Sequence, residues 1–127
     1  MRKLAYEIPK AFKPLTFEQA KLLDKKYPIK KSKFISFMDD SLREKDPQLC
    51  AYGEMQEKQL KMYLSFLPVM NYIGSYDYEN GEFLDYYEDD TFFIAVLYKV
   101  EEFAYIESMF VHSLESDNYM WYNIDVR

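Results

Sequence analysis

The chain of 127 residues has the length of one domain, and its 49% hydrophobic and 19% aromatic residues exclude a globally disordered chain. Its single cysteine, Cys50, excludes an internal disulfide and a thiolate zinc site, and it is typical of a reducing cytoplasm. A net charge of −6 disfavours a nucleic-acid-binding protein, and no apolar stretch approaches the roughly 20 residues that span a bilayer.

The first predicted elements are a short strand and a helix. Residues 3–8 place apolar side chains at alternate positions, as in a strand with one buried face, and the basic start without an apolar segment is unlike a signal peptide. Thr16 and Gln19 fit a capping box, so a helix is predicted over residues 17–26. It should end before Pro28, which disfavours helical geometry at the preceding residue. The positions expected to be buried are Phe17, Ala20, Leu23 and Tyr27.

Two further helices are predicted in the first half. Residues 33–43 place apolar side chains at helical spacing, although residues 34–37 also fit the start of a strand. Asp46 and Pro47 are typical of a helix start, with Asp46 as the N-cap and Pro47 in the first turn. The helix that they begin is expected to end just before Pro68.

The second half of the chain changes to strand patterns. Asn80-Gly81 predicts a two-residue hairpin turn, which would place Tyr78 opposite Phe83. Residues 91–100 are apolar on both faces of a strand, so we expect them at the centre of the sheet.

Two more strands are predicted after this central one. Residues 103–112 have the aromatic and β-branched content of a strand, although their apolar residues also match helical spacing. A turn is expected over residues 113–118, and residues 119–126 alternate as a last strand.

Charge is distributed unevenly along the chain. Residues 1–63 hold 14 bases and 9 acids, whereas residues 64–127 hold 2 bases and 13 acids. Seven of these acids fall in residues 76–90, the acidic segment, together with five aromatic residues and no base. One interpretation is that the two halves attract each other inside one domain. Another is that the acids form a solvated rim while the rings face the core.

The interpretation with functional content is that the acidic segment binds a partner. Carboxylates interleaved with tyrosines form a negative surface that pairs with basic clefts, and tyrosine adds contact area at low entropic cost. Tyr86 or Tyr87 is the expected anchor. The residues assigned to this surface are Asp77, Glu79, Glu82, Asp85, Tyr86, Tyr87, Glu88, Asp89 and Asp90.

Other chemistry has weaker support in the sequence. His112, the only histidine, lies at the end of a predicted strand and has the side chain that general acid–base catalysis most often uses. No nucleophile or orienting carboxylate lies beside it in sequence. Cys50 falls in the first turn of a predicted helix, where a thiol pKa is lowered, but a small buried side chain explains it as well.

Metal and nucleic-acid sites also have only weak support in the sequence. Asp85, Glu88, Asp89 and Asp90 do not have the spacing of a calcium-binding loop, so no metal or cofactor is predicted. A basic segment with a tyrosine could hold phosphates and stack on a base. Its lysines are Lys25, Lys26, Lys30, Lys31 and Lys33.

The sequence therefore predicts one α+β domain over residues 1–127, with N-terminal helices packed on a mainly antiparallel C-terminal sheet. The predicted function is that of a small cytoplasmic binding protein, not an enzyme. It would occlude a basic surface of a partner, such as a nuclease or another nucleic-acid enzyme, as immunity proteins and virus-encoded inhibitors do. The alternatives are a small enzyme using His112 with nearby carboxylates, and a nucleic-acid binder using residues 25–33.

Overall fold

The computed structural model describes residues 4–27, 33–36 and 47–123. They form two α-helices and a seven-stranded sheet, which confirms the predicted α+β class. The single domain over residues 1–127 stays a prediction. In chain order the elements are β1 (Leu4–Ala5), α1 (Phe17–Lys26), β2 (Lys33–Ser36), α2 (Pro47–Phe66), a 3-10 turn (Leu67–Val69), β3 (Asn71–Asp77), β4 (Glu82–Glu88), β5 (Phe92–Val100), β6 (Ala104–Ser113) and β7 (Asn118–Asn123).

The strands lie in the order β2-β7-β6-β5-β4-β3. Successive strands from β3 to β7 pair antiparallel, and β2 runs parallel to β7. Strand β1 pairs with the start of β6, where Leu4 lies opposite Ile106. Strands β3 to β7 thus follow their order in the chain, as short hairpin connections produce.

Each face of the sheet packs against one helix. The α2 face carries a core of aliphatic and tyrosine side chains that contacts Leu60 and Leu67. The α1 face is more aromatic and contacts Ala20 and Tyr27. Residues of the α2 face are Tyr87, Ile94, Val96, Tyr98, Met109, Val111 and Tyr122, and those of the α1 face are Tyr86, Phe93, Ala95 and Phe110.

The central strand is where the sequence placed it. Strand β5 pairs with β4 on one side and β6 on the other. Ile94 and Val96 enter the α2 face while Phe93 and Ala95 enter the α1 face, so both faces are covered. The prediction of a strand over residues 103–112 is confirmed, since β6 covers Ala104–Ser113. This strand is the second neighbour that a central β5 requires.

Both helix predictions with capping signals are confirmed in their bounds. The Gln19 N–H donates to Thr16 Oγ1 at 3.1 Å, and the Thr16 N–H donates to Gln19 Oε1 at 2.9 Å, which completes the capping box of α1. Helix α2 ends at Phe66, before the turn that contains Pro68. The predicted N-cap, Asp46, lies outside the described residues.

Phe17 and residues 33–36 depart from the expectations. Ala20 and Tyr27 are buried as predicted and Leu23 is half-buried, but Phe17 is 53% exposed, beside Tyr76 of the edge strand β3. A helix over residues 33–43 is wrong at 33–36, which form β2, and 37–43 lie outside the described residues. The parallel pairing of β2 with β7 overrides the local helical spacing.

The β3–β4 hairpin exists, but its predicted register is wrong by one residue. Asp77, and not Tyr78, lies opposite Phe83. The Tyr78 N–H donates to the Glu82 carbonyl at 3.1 Å, so the loop has three residues, with left-handed φ values of 63° at Glu79 and 90° at Gly81. From the loop to the bulge between Tyr72 and Gly74, the longer loop shifts each partner by one position, which exchanges the faces of the side chains.

The outer edge of β3 is covered by the segment before α1. The Ser75 N–H donates to the Lys13 carbonyl, and the Leu15 N–H donates to the Ser75 carbonyl, both at 2.8 Å. A Cβ on Gly74 would lie 2.6 Å from Leu15 Cδ2, so glycine permits this close approach. Covering an edge strand in this way blocks its pairing with another chain.

Strand β1 is shorter than predicted, and the predicted last strand is confirmed over the residues that the structure describes. The expectation of a strand over residues 3–8 is met only at Leu4–Ala5, after which the Tyr6 N–H still donates to the Ala104 carbonyl at 2.9 Å. The last strand covers Asn118–Asn123, and the rest of the predicted 119–126 lies outside the described residues. In the part of the chain that the structure describes, no helix is long and apolar enough to cross a membrane.

Candidate functional site

The fold divides the acidic segment between two opposite ends of the sheet. At one end the β3–β4 and β5–β6 turns meet, because the Val100 N–H donates to the Gly81 carbonyl at 3.0 Å. At the other the β4–β5 and β6–β7 turns meet, through a 2.8 Å bond from the Leu114 N–H to the Thr91 carbonyl. We call them the Tyr78 end (residues 77–82 and 99–103) and the Asp89 end (residues 88–91 and 113–117). Strand β4 separates them by roughly 20 Å.

Three of the nine residues assigned to the binding surface are buried. Asp85, Tyr86 and Tyr87 are 0%, 1% and 4% exposed. Strand β4 is paired on both sides and covered on both faces, so its middle residues point into the two cores. The expectation that Tyr86 or Tyr87 is an exposed anchor is therefore wrong. The other six residues stay on the surface or at its margin: Asp77, Glu79 and Glu82 at the Tyr78 end, and Glu88, Asp89 and Asp90 at the Asp89 end.

The Tyr78 end combines carboxylates with exposed apolar side chains. Tyr78 and Phe103 are each 47% exposed, and Val100 is also exposed. The Tyr78 ring contacts Tyr76 edge-on at 5.0 Å, and the Phe103 ring lies 5.9 Å from that of Tyr105. Each exposed ring is thus held by a second ring. The acids around them are Asp77, Glu79, Glu82, Glu101 and Glu102.

Side-chain hydrogen bonds fix the loop that carries Tyr78. Asp77 Oδ1 accepts from the Glu79 N–H at 2.7 Å, and Asn80 Oδ1 accepts from the Glu82 N–H at 3.0 Å. Such Asx turns hold a short loop in one conformation. Partial burial of Tyr78, together with nearby carboxylates such as Asp24, raises the pKa of its hydroxyl, so the ring stays neutral.

Two acids of the Asp89 end, Glu88 and Asp89, make contacts that hold the fold together. Glu88 accepts a 2.6 Å hydrogen bond from the Tyr27 hydroxyl and lies 3.9 Å from Lys26 Nζ. Asp89 Oδ1 accepts from the Thr91 and Phe92 N–H groups at 2.8 and 2.7 Å, which holds the β4–β5 turn. Among the described residues of this end, none is a large exposed hydrophobic side chain.

His112 is packed inside the α1 face. It is 6% exposed and stacks on Tyr119 with 4.0 Å between ring centroids. Nε2 contacts Asp117 Oδ1 at 3.0 Å, while Nδ1 is buried without a hydrogen-bond partner. Asp117 is thus a carboxylate partner that the local sequence did not reveal, but the ring is covered by Tyr27 and Tyr119 and does not face solvent. General acid–base use of His112 stays an alternative to the predicted binding function.

The remaining sequence candidates are dispersed. The exposed Lys25 and Lys26 lie at the end of α1, Lys30 and Lys31 lie outside the described residues, and Lys33 is in β2. Cys50 is in α2, but its side chain is not described. The four carboxylates considered for a metal do not converge, since Asp85 is buried and Asp90 exposed. In the described part of the chain no group of three or more potential metal ligands is found.

The buried Asp85 is the centre of a hydrogen-bond network that the sequence did not reveal. Its carboxylate accepts from the Ser75 and Tyr6 hydroxyls, each at 2.5 Å, and from Tyr98. The Tyr6 hydroxyl also contacts that of Tyr87, and Tyr72 contacts Ser75. Burial raises the pKa of Asp85, while the hydroxyl donors oppose that rise.

Comparison with known proteins adds no family. The chain matches no protein-family model, and no similar curated protein or solved structure was found. The two features of the structure that bear on function are the exposed surface of the Tyr78 end and the buried hydrogen-bond network around Asp85.

Proposed function

We propose that the protein is a small acidic binding protein whose Tyr78 end occludes a basic surface of a partner protein. The carboxylates of this end steer the encounter, and the exposed rings of Tyr78 and Phe103 anchor the complex. Occlusion is steric and electrostatic, and it requires no catalytic group.

Exposed rings and carboxylates occur together at the Tyr78 end of the sheet, and this observation supports the proposed binding surface most directly. Interface hot spots are enriched in aromatic residues that are held in place before binding, and both rings have such support from Tyr76 and Tyr105. At physiological ionic strength the Debye length is about 8 Å. The Asp89 end is therefore too distant to replace these charges at the contact.

The negative charge of the Tyr78 end indicates what kind of partner it would bind. A nucleic-acid enzyme such as a nuclease offers a cleft lined by lysine and arginine, and carboxylates of the Tyr78 end could occupy its phosphate positions. Immunity proteins and virus-encoded inhibitors act in this general way. The proposed setting is a reducing compartment such as the cytoplasm, because Cys50 can form no internal disulfide.

The test is capture of a partner from native cells on the immobilised chain, followed by surface-based kinetics. Replacing Tyr78 and Phe103 together by serine should raise the off-rate about tenfold or more, as loss of a hot-spot anchor does. The matched control replaces Met62 and Val69 by serine, since both are exposed on α2 and the turn that follows it. A basic protein retained equally by wild type and by the Tyr78/Phe103 variant would contradict the proposed face.

A further inference from the structure

An open cavity of about 590 Å³ lies on the α2 face, and its lining includes no residue of the Tyr78 end. The segment after β1, the end of α2 and one corner of the sheet border it. Its lining includes Ile8, Leu64, Leu67 and the three network tyrosines Tyr6, Tyr72 and Tyr87. The volume falls within the range of roughly 300–1,000 Å³ that is usual for small-molecule sites.

The tyrosine hydroxyls in this lining have fixed hydrogen-bond directions. Tyr6 and Ser75 each donate their one hydroxyl proton to Asp85. With those protons committed, Tyr87 must donate to Tyr6, and Tyr72 must donate to Ser75. Every hydroxyl proton of the network therefore points toward Asp85.

With its proton given to Tyr6, the Tyr87 oxygen is left as a hydrogen-bond acceptor, and Tyr87 lines the cavity. The Tyr72 oxygen already accepts from the Lys13 N–H at 3.1 Å. The Tyr87 oxygen has given its proton to Tyr6, and among the described residues no group donates to it. Asp85 has no lysine or arginine partner among the described residues, and its partners there are the hydroxyls of Ser75, Tyr6 and Tyr98.

We propose that this cavity binds a small organic molecule with a flat apolar body and a single N–H or O–H donor, which it directs to the Tyr87 oxygen. The apolar side chains of Leu64, Leu67 and Ile8 receive the body. Asp85 lies behind the tyrosines and acts through them, as a positioning residue that keeps the Tyr87 oxygen free to accept. The site is independent of the partner surface proposed for the Tyr78 end.

The test compares two isosteric probes, indole with its N–H and benzofuran with an oxygen in its place. Each is titrated into the 15N-labelled full chain at neutral pH, and binding is located from amide shifts of the residues around the cavity. One neutral hydrogen bond is worth about 0.5–1.5 kcal/mol, so indole should bind roughly twofold to tenfold more tightly than benzofuran.

Tyr87→Phe keeps the ring and removes the acceptor, so it should abolish the preference for indole while benzofuran binds as before. Tyr122→Phe is the control, because it removes a buried hydroxyl that contacts Gln59 and does not line the cavity. It should keep the preference. Equal affinity of the two probes for wild type, an unchanged preference in Tyr87→Phe, or no shifts at the cavity with either probe would each overturn the proposal.

Discussion

At the scale of single residues, the feature with the widest consequences is Asp85. An aspartate in an acidic segment is expected to face water, yet this one is fully buried and accepts hydrogen bonds from several hydroxyls. Nothing local in the sequence distinguishes it from Asp89 or Asp90. Asp85 is buried because of the register of β4, and the length of the hairpin loop sets that register. A change of one residue would turn each side chain to the other face.

Asp85 should make stability depend on pH. Burial raises the pKa of Asp85 in the folded state above 3.8, the value for an exposed aspartate in the unfolded chain. Between the unfolded-state pKa and the folded-state pKa, the folded protein therefore binds the proton of Asp85 more tightly than the unfolded chain does. Its contribution to the free energy of unfolding is therefore greatest at low pH and decreases as pH rises through the folded-state pKa.

The measurement is urea unfolding of wild type and Asp85→Asn from pH 3.5 to pH 7. The variant lacks this titration, so its stability relative to wild type should increase with pH. The pKa of Asp24 is also raised by desolvation, but both proteins contain Asp24, so its effect cancels. Parallel stability curves for the two proteins would show that Asp85 does not titrate differently in the folded state.

Gly74 is a second position where one residue decides a local structure. An added Cβ would lie 2.6 Å from Leu15 Cδ2 and 3.0 Å from the Lys13 carbonyl oxygen. Gly74→Ala should therefore destabilise the protein by about 1–3 kcal/mol, the usual cost of overpacking. In a Leu15→Ala background the same change should cost less, because the closest contact is gone. Equal losses in both backgrounds, measured by thermal unfolding, would show that the contact with Leu15 is not the cause.

At the scale of elements, local signals predicted what local chemistry determines. The capping box of α1, the proline that ends α2 and the two-sided apolar pattern of β5 act within a few residues, and all three are confirmed. Strand β2 depends instead on pairing with β7, which lies far away in the sequence. The same limit applies to the Tyr78 end as a site, because the turns that carry Tyr78 and Phe103 come together only when two hairpins lie side by side.

Strand β5 should be among the last parts of the molecule to exchange its amide hydrogens. It is paired along both edges, and Ile94 and Val96 are fully buried. Exchange of such amides needs global unfolding, whereas Leu4 and Ala5 of the short strand β1 should exchange by local opening. Hydrogen-exchange NMR resolves these residues. Exchange of the Ile94 and Val96 amides as fast as that of Ala5 would contradict the central position of β5.

At the scale of the whole molecule, the fold changes the meaning of the charge pattern. The single acidic segment of the sequence becomes two acidic ends, and exposed aromatic side chains accompany only one of them in the described structure. Glu101 and Glu102, outside the acidic segment, join the Tyr78 end because the β5–β6 turn lies next to the β3–β4 loop. No charge count along the chain could have assigned them there.

The most direct measurement compares equal charge reversals at the two ends. One variant carries Glu79→Lys and Glu102→Lys at the Tyr78 end, and its control carries Asp90→Lys and Glu115→Lys at the Asp89 end, all at exposed positions. Association with the captured partner is measured at low and high salt. The Tyr78-end variant should associate about tenfold more slowly at low salt, with the difference shrinking as salt rises, while the control stays close to wild type. Equal slowing by both variants, or an unchanged on-rate and salt dependence for the Tyr78-end variant, would contradict the proposed function.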